Sequence, residues 1–203
     1  MTKFLNIETL KIHWKLKIGN CKLGFTLIEI IVVIAISIVL ILVGSAVFIG
    51  NSKFYQNQKG EIAAVNATRA AGDRLSEFAR AATDMLASRQ FGAATYTTSA
   101  TMVVLRVPSI DASGNLIAGA YDYAAFGRDP NNASRLLLVV DGAAGSVRGD
   151  RTLEVTDKLS AISLTYDNAD PTAAKQVTYT ITVTDTGRYA ATEQVTGRAT
   201  LRN

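Results

Sequence analysis

In "Lys22-Leu23-Gly24-Phe25-Thr26-Leu27-Ile28-Glu29" a carboxylate stands at the head of a long apolar run. From Ile30 to Ile49 no side chain is charged, and no lysine or arginine follows Glu29 until Lys53. A carboxylate at the centre of a membrane helix costs roughly 2.5 to 3.5 kcal/mol on insertion scales, less near an interface, and such groups usually have a partner. A break between Gly24 and Phe25 would create one, because Phe25 would then carry an ammonium group. Residues 25 and 29 are four apart, so amine and carboxylate would share a helix face. At about 4 Å and an effective dielectric near 20, such a pair gains on the order of 4 kcal/mol before desolvation is deducted. The same pair could close between neighbouring copies in a bundle and fix their axial stagger.

Other chemistry is thinly supplied. The single cysteine, Cys21, and the single histidine, His13, both precede the Gly24-Phe25 junction. Without residues 1–24 the chain has no thiol and no imidazole, so disulfides, Cys or His metal ligands and Ser-His or Cys-His nucleophilic sites are excluded. Nothing fixes two carboxylates together for acid–base work, so no catalytic residue is assigned and an enzyme is not expected. Asp141, Asp150 and Asp157, or Asp167, Asn168 and Asp170, could offer hard oxygen ligands to calcium, but neither set has the spacing of an EF-hand loop. They read as solvated turn residues, and no metal or cofactor is expected. Gly142-Ala143-Ala144-Gly145-Ser146 lacks the Gly-Lys-Ser/Thr of a phosphate loop and reads as a hairpin loop.

The elements that must carry these residues follow from pattern. The 203-residue chain is 48% hydrophobic, enough for one membrane segment and one soluble domain. Its formal net charge of +4 is local: five of its 21 basic residues and one of its 17 acidic ones lie before Phe25, leaving sixteen of each after it. Residues 30–49, at 1.5 Å per residue, span roughly 30 Å, the hydrocarbon thickness of a bilayer. A buried core helix seldom stays apolar on every side for this length, and an ordinary secretory signal would be shorter and followed by a small-residue cleavage site. The five lysines before the segment should stay cytoplasmic and everything after Gly50 should lie outside.

From Asn51 to about Gln90 the pattern is amphipathic, with Ile62, Val65, Arg69, Gly72, Leu75, Phe78 or Ala79, Ala82 and Met85 or Leu86 on one stripe that packs on a sheet. After Phe91 the chain reads as strands over 101–107, 116–126, 135–141, 152–156, 159–167, 175–185 and 194–202, joined by Gly-, Asp- and Asn-rich turns. In "Val177-Thr178-Tyr179-Thr180-Ile181-Thr182-Val183" one face is apolar or aromatic and the other a threonine row, the mark of a half-exposed antiparallel strand. The expected fold is α+β: a long N-terminal helix, membrane-spanning over 25–50 and amphipathic over 51–90, packed on a mainly antiparallel β-rich head over 91–203, after a leader over 1–24.

The Gly24-Phe25 junction, Glu29 four residues later, a basic leader and an apolar helix together resemble the class III signal of type IV pilins and of the pseudopilins of type II secretion systems. That resemblance implies cleavage after Gly24 by prepilin peptidase, N-methylation of Phe25, and use of Glu29 in docking and assembly. It implies as partners other pilin or pseudopilin subunits, the peptidase, an inner-membrane assembly platform and membrane lipid, with the head periplasmic before entry into a pilus or pseudopilus. Residues 26–107 contain no proline, whereas many major pilins break the apolar helix with one, and the chain after Phe25 cannot close the C-terminal disulfide loop common among them. These departures, with the long leader, favour a minor subunit or pseudopilin. The ending Leu201-Arg202-Asn203 resembles that of minor pseudopilins of the type II J or pilus W kind. The alternative is a DNA-binding minor pilin of a competence system, but no basic run follows Phe25, so a nucleic-acid partner is not expected.

Overall fold

The computed structural model describes residues 25–185 and 190–202. Among the described residues there are one helix and ten strands, and every strand pairing is antiparallel, so the arrangement is α+β as the pattern predicts. The expected leader, 1–24, lies outside the described residues. The chain divides into two compact units, one up to Ile49 and one from Gly50 onward.

In the first unit, Phe25 and Thr26 precede the helix and α1 begins at Leu27; it runs to Ala81. Every residue from Phe25 to Asn51 is exposed. Ser37 adds little polarity, since its hydroxyl donates to the Val33 carbonyl one turn back at 2.7 Å.

In the second unit, α1 ends at Ala81, short of the expected residue 90. The Ala82 N–H still bonds the Phe78 carbonyl at 2.9 Å, and Arg80 in the last turn complements the helix dipole. The next residues then pair with a sheet: the Thr83 N–H donates to the Arg106 carbonyl at 2.9 Å and Asp84–Leu86 forms β1. Met85 and Leu86, read as the last turn of the helical stripe, are therefore in a strand; pairing with the chain near Arg106 overrides their helix propensity. Ser88–Phe91 (β2) and Ala94–Thr97 (β3) make a hairpin that the pattern also missed. The remaining strands are β4 (Met102–Ile110), β5 (Leu116–Arg128), β6 (Leu136–Asp141), β7 (Arg151–Thr156), β8 (Leu159–Tyr166), β9 (Gln176–Asp185) and β10 (Ala191–Thr200). With β1 they build a five-stranded sheet, β1-β4-β5-β6-β7, and a three-stranded sheet, β10-β9-β8.

The core lies between α1 and one face of each sheet: Leu75, Phe78 and Ala79 meet Leu105, Phe126 and Leu138 of the larger sheet and Tyr179, Ile181 and Val183 of the smaller. The buried helix face is Ala64, Thr68, Ala71, Gly72, Leu75, Phe78 and Ala79, which shifts the expected stripe, because Ile62 and Arg69 are exposed. Small residues win these places because backbone and sheet approach closely; a Cβ on Gly72 would stand 3.2 Å from the Tyr179 hydroxyl. Thr68 is tolerated there because its hydroxyl donates to its own helix carbonyls, at 3.0 Å to Ala64 and 2.9 Å to Val65.

The two sheets differ in how much is covered. In β9, Val177, Tyr179, Ile181 and Val183 are buried while the intervening threonines are not, giving the period-2 signature. Met102 to Leu105 in β4 are buried without alternation. A second apolar cluster on the other face of the larger sheet explains this: Phe91 from the β2–β3 hairpin packs with Met102, Val104, Ala125 and Val139.

Candidate functional site

The predicted chemistry centres on the start of α1. Thr26 is the last residue before the helix, and its hydroxyl accepts a hydrogen bond from the Glu29 N–H at 3.3 Å. The Thr26 carbonyl also accepts from the N–H groups of Glu29 at 3.0 Å and Ile30 at 3.3 Å. Thr26 is thus the N-cap, and Glu29 occupies the third helical position. Glu29 lies in the first turn, where the positive end of the helix dipole favours a carboxylate. Sequence reasoning overlooked Thr26, although the Thr-x-x-Glu spacing before an apolar run carries the capping signal. Of the sequence-predicted site residues, Phe25 and Glu29 lie at this end of the helix, Phe25 before the cap and Glu29 after it, whereas Gly24 lies outside the described residues.

Behind this end α1 is long and apolar enough to cross a membrane. None of its most apolar window is buried, unlike the core helix of a soluble protein. Contiguous apolar surface of this extent requires lipid or other apolar helices around it.

Of the carboxylates considered for calcium, Asp150, Asp167 and Asp170 brace turns. Asp150 accepts from the Gly142 N–H at 2.8 Å, Asp167 from the Lys175 N–H at 3.0 Å, and Asp170 from the N–H and hydroxyl of Thr172 at 2.9 and 2.7 Å. Asn168 caps the same turn by accepting from the Asp170 N–H at 2.9 Å, and Asp141 pairs with Arg89 at 3.2 Å. Among the described residues no group of three potential ligands is brought together. Gly142 to Ser146 belongs to the connection between β6 and β7, which pair as antiparallel neighbours.

That connection is held by a polar cluster no sequence signal announced. Asp122, in the middle of β5, is 1% exposed. Its carboxylate accepts from the hydroxyls of Ser109 and Ser146, each at 2.7 Å, from the Ala143 N–H at 2.9 Å and from the Arg148 guanidinium at 2.8 Å. Arg148 donates also to the Pro108 carbonyl at 2.8 Å. Burial alone would raise the Asp122 carboxyl, but the hydrogen bonds from Arg148, Ala143, Ser109 and Ser146 outweigh it and hold it below the usual carboxylate range. The site is structural, because its oxygens are turned to protein donors. The strand's alternation places Asp122 among apolar neighbours, and that mismatch is the only trace of it in the sequence.

With this geometry described, comparison with known proteins adds one finding. Residues 19–45 match the family described as the prokaryotic N-terminal methylation motif. The match spans the Gly24-Phe25 junction, Thr26, Glu29 and the first part of α1, and it supports a type IV pilin-like prepilin signal on an apolar helix that fits inner-membrane anchoring. Such a motif implies processing by prepilin peptidase and assembly with other pilin subunits, a structural role rather than an enzymatic one. Comparison with curated proteins and with solved structures gives no significant match.

Proposed function

We propose that this chain is a minor pilin or pseudopilin: cleaved between Gly24 and Phe25, N-methylated on Phe25, held in the inner membrane by α1 with the β-rich unit periplasmic, and drawn into a short filament or its tip. The observation that carries the reading is the methylation motif over residues 19–45, ending in a helix whose apolar surface has no cover of its own. Cleavage supplies the amine that answers Glu29, within a subunit or between neighbours, and assembly exchanges lipid around the helix for other helices. The absence of proline in residues 26–107 and of cysteine after Phe25 supports a minor subunit over the bulk one.

Chemistry at the junction tests this. Gly24→Ser is expected to block processing, and the cells should accumulate a precursor about 2–3 kDa heavier, the mass of ~24 leader residues. Normal maturation of that variant, or loss of the chain from the membrane fraction without any change in size, contradicts the proposal.

A further inference from the structure

The β2–β3 hairpin has an unused edge, and its phase can be read from the register. The paired residues are Phe91↔Ala94, Gln90↔Thr95, Arg89↔Tyr96 and Ser88↔Thr97. The Thr98 N–H donates to the Ala87 carbonyl at 2.8 Å, which makes Ala87↔Thr98 a hydrogen-bonded pair. Antiparallel pairs alternate, so Tyr96 and Ala94 also bond to β2, while Thr95 and Thr97 turn their N–H and C=O groups away from it. β3 pairs with no strand on that side. Both threonines, with Tyr96 between them, line a cleft of about 580 Å³ that is lined also by Arg128, Asp129, Pro130, Asn131 and Ala133. That volume falls within the range of ligand clefts, roughly 300 to 1,000 Å³.

The cleft holds one cation and one anion, Arg128 and Asp129, and they form no ion pair with each other. Arg128 donates to the Ser160 carbonyl at 3.3 Å, and its Nε–H is buried without a hydrogen-bond partner. Asp129 does not answer it: the Asp129 carboxylate accepts from the Asn131 N–H at 2.8 Å within its own turn. Arg74, Arg89, Arg106, Arg135 and Arg148 have carboxylate partners among the described residues, although the Arg89 Nε–H is likewise without a hydrogen bond.

We infer that this cleft takes an extended peptide segment of another protein, which adds to the free edge of β3 as an antiparallel or parallel strand and sets an acidic side chain against Arg128. Thr95 and Thr97, two residues apart, present two successive rungs of main-chain donors and acceptors, the spacing that an added strand about 4.8 Å away requires. Main-chain bonding supplies affinity, and the Arg128 guanidinium, which has no carboxylate partner among the described residues, supplies the preference for acid. This reading stands apart from the fate of Phe25, since it concerns only the second unit.

The test uses the full chain in detergent micelles and the peptide acetyl-Thr-Val-Glu-Val-Thr-Val-amide. Titration followed by amide NMR should show saturable shifts at Thr95 and Thr97 and slower hydrogen exchange of those two N–H groups. N-methylation of the peptide on one alternate set of amides should abolish binding and on the other should leave it, because only one set faces β3. Thr97→Pro removes an edge donor without touching the β2 rungs and should weaken binding about tenfold, the loss of one or two net hydrogen bonds. Arg128→Gln should erase the preference for this peptide over its lysine counterpart. If Thr97→Pro does not fold, the methylated peptides and Arg128→Gln decide. Absence of binding at millimolar peptide, binding that leaves the Thr95 and Thr97 amides unprotected, equal tolerance of both methylation sets, or equal affinity for the lysine peptide overturns the inference.

Discussion

Two carboxylates show how context divides one kind of group into two roles. Asp122 has its donors built in, and each is a main-chain or side-chain group of its own chain. Truncation by Asp122→Ala would strand the Arg148 guanidinium, which is 17% exposed, and should cost about 3–5 kcal/mol, read as a lowered urea midpoint. Because its pKa is depressed on folding, the stability it contributes is complete above the ordinary value of 3.8 and fades as the pH falls through the lower folded value. Acid titration should therefore show a steeper loss of stability below pH 3.8 for the wild type than for the alanine variant. Glu29 has only the helix start behind it: the Thr26 cap and the dipole. If its further role is to meet the amine of a processed Phe25, Glu29→Gln, which keeps the side-chain shape and loses the charge, should leave cleavage and membrane insertion intact and reduce recovery in filaments. Filaments of wild-type abundance from that variant contradict this role.

At the scale of elements, the helix–sheet contact depends on absent side chains. Gly197 in β10 lies against the Tyr179 ring, and a Cβ there would fall 2.3 Å from the hydroxyl and 2.4 Å from Cζ. Tyr179 has little freedom to yield, because it is buried and its hydroxyl is tied to the Gly72 carbonyl at 3.3 Å and to Ser76 at 3.1 Å. Gly197→Ala should destabilise the second unit by about 1–3 kcal/mol, visible as a lower Tm with the helix content retained. These close approaches also explain what the pattern could and could not disclose. The sequence order of β4 to β10 was legible because turn residues and β-branched runs mark their ends; β9 was legible to the face. Strands β1 to β3 were not: the three residues Asp84–Leu86 are equally at home in a helix and only distant partners, Arg106 to Val104, decide the matter, while β2 and β3 are four residues each, too short for a period to show. The stripe on α1 slipped because apolar Ile62 suggested burial, whereas the tight contact selects Ala64, Thr68 and Ala71.

For the molecule as a whole, the two units make opposite demands on solvent. The β-rich unit buries its own core on both faces of the larger sheet, while the first unit leaves a full turn-by-turn circumference of Ile, Val and Leu uncovered. Composition announced the second property plainly, since twenty successive uncharged residues need no tertiary information to read. The methylation motif over residues 19–45 was legible in the same way, whereas the β3 edge was not, because an unpaired rung exists only once the hairpin register is known. The central claim is that the carboxylate of Glu29 is answered by a chain terminus made at Phe25. Mass spectrometry of the terminal peptide from membrane-extracted protein tests it most directly: the account predicts a chain that starts at Phe25 with a methylated α-amine, and a chain that starts at any other residue, or retains residues 1–24, contradicts it.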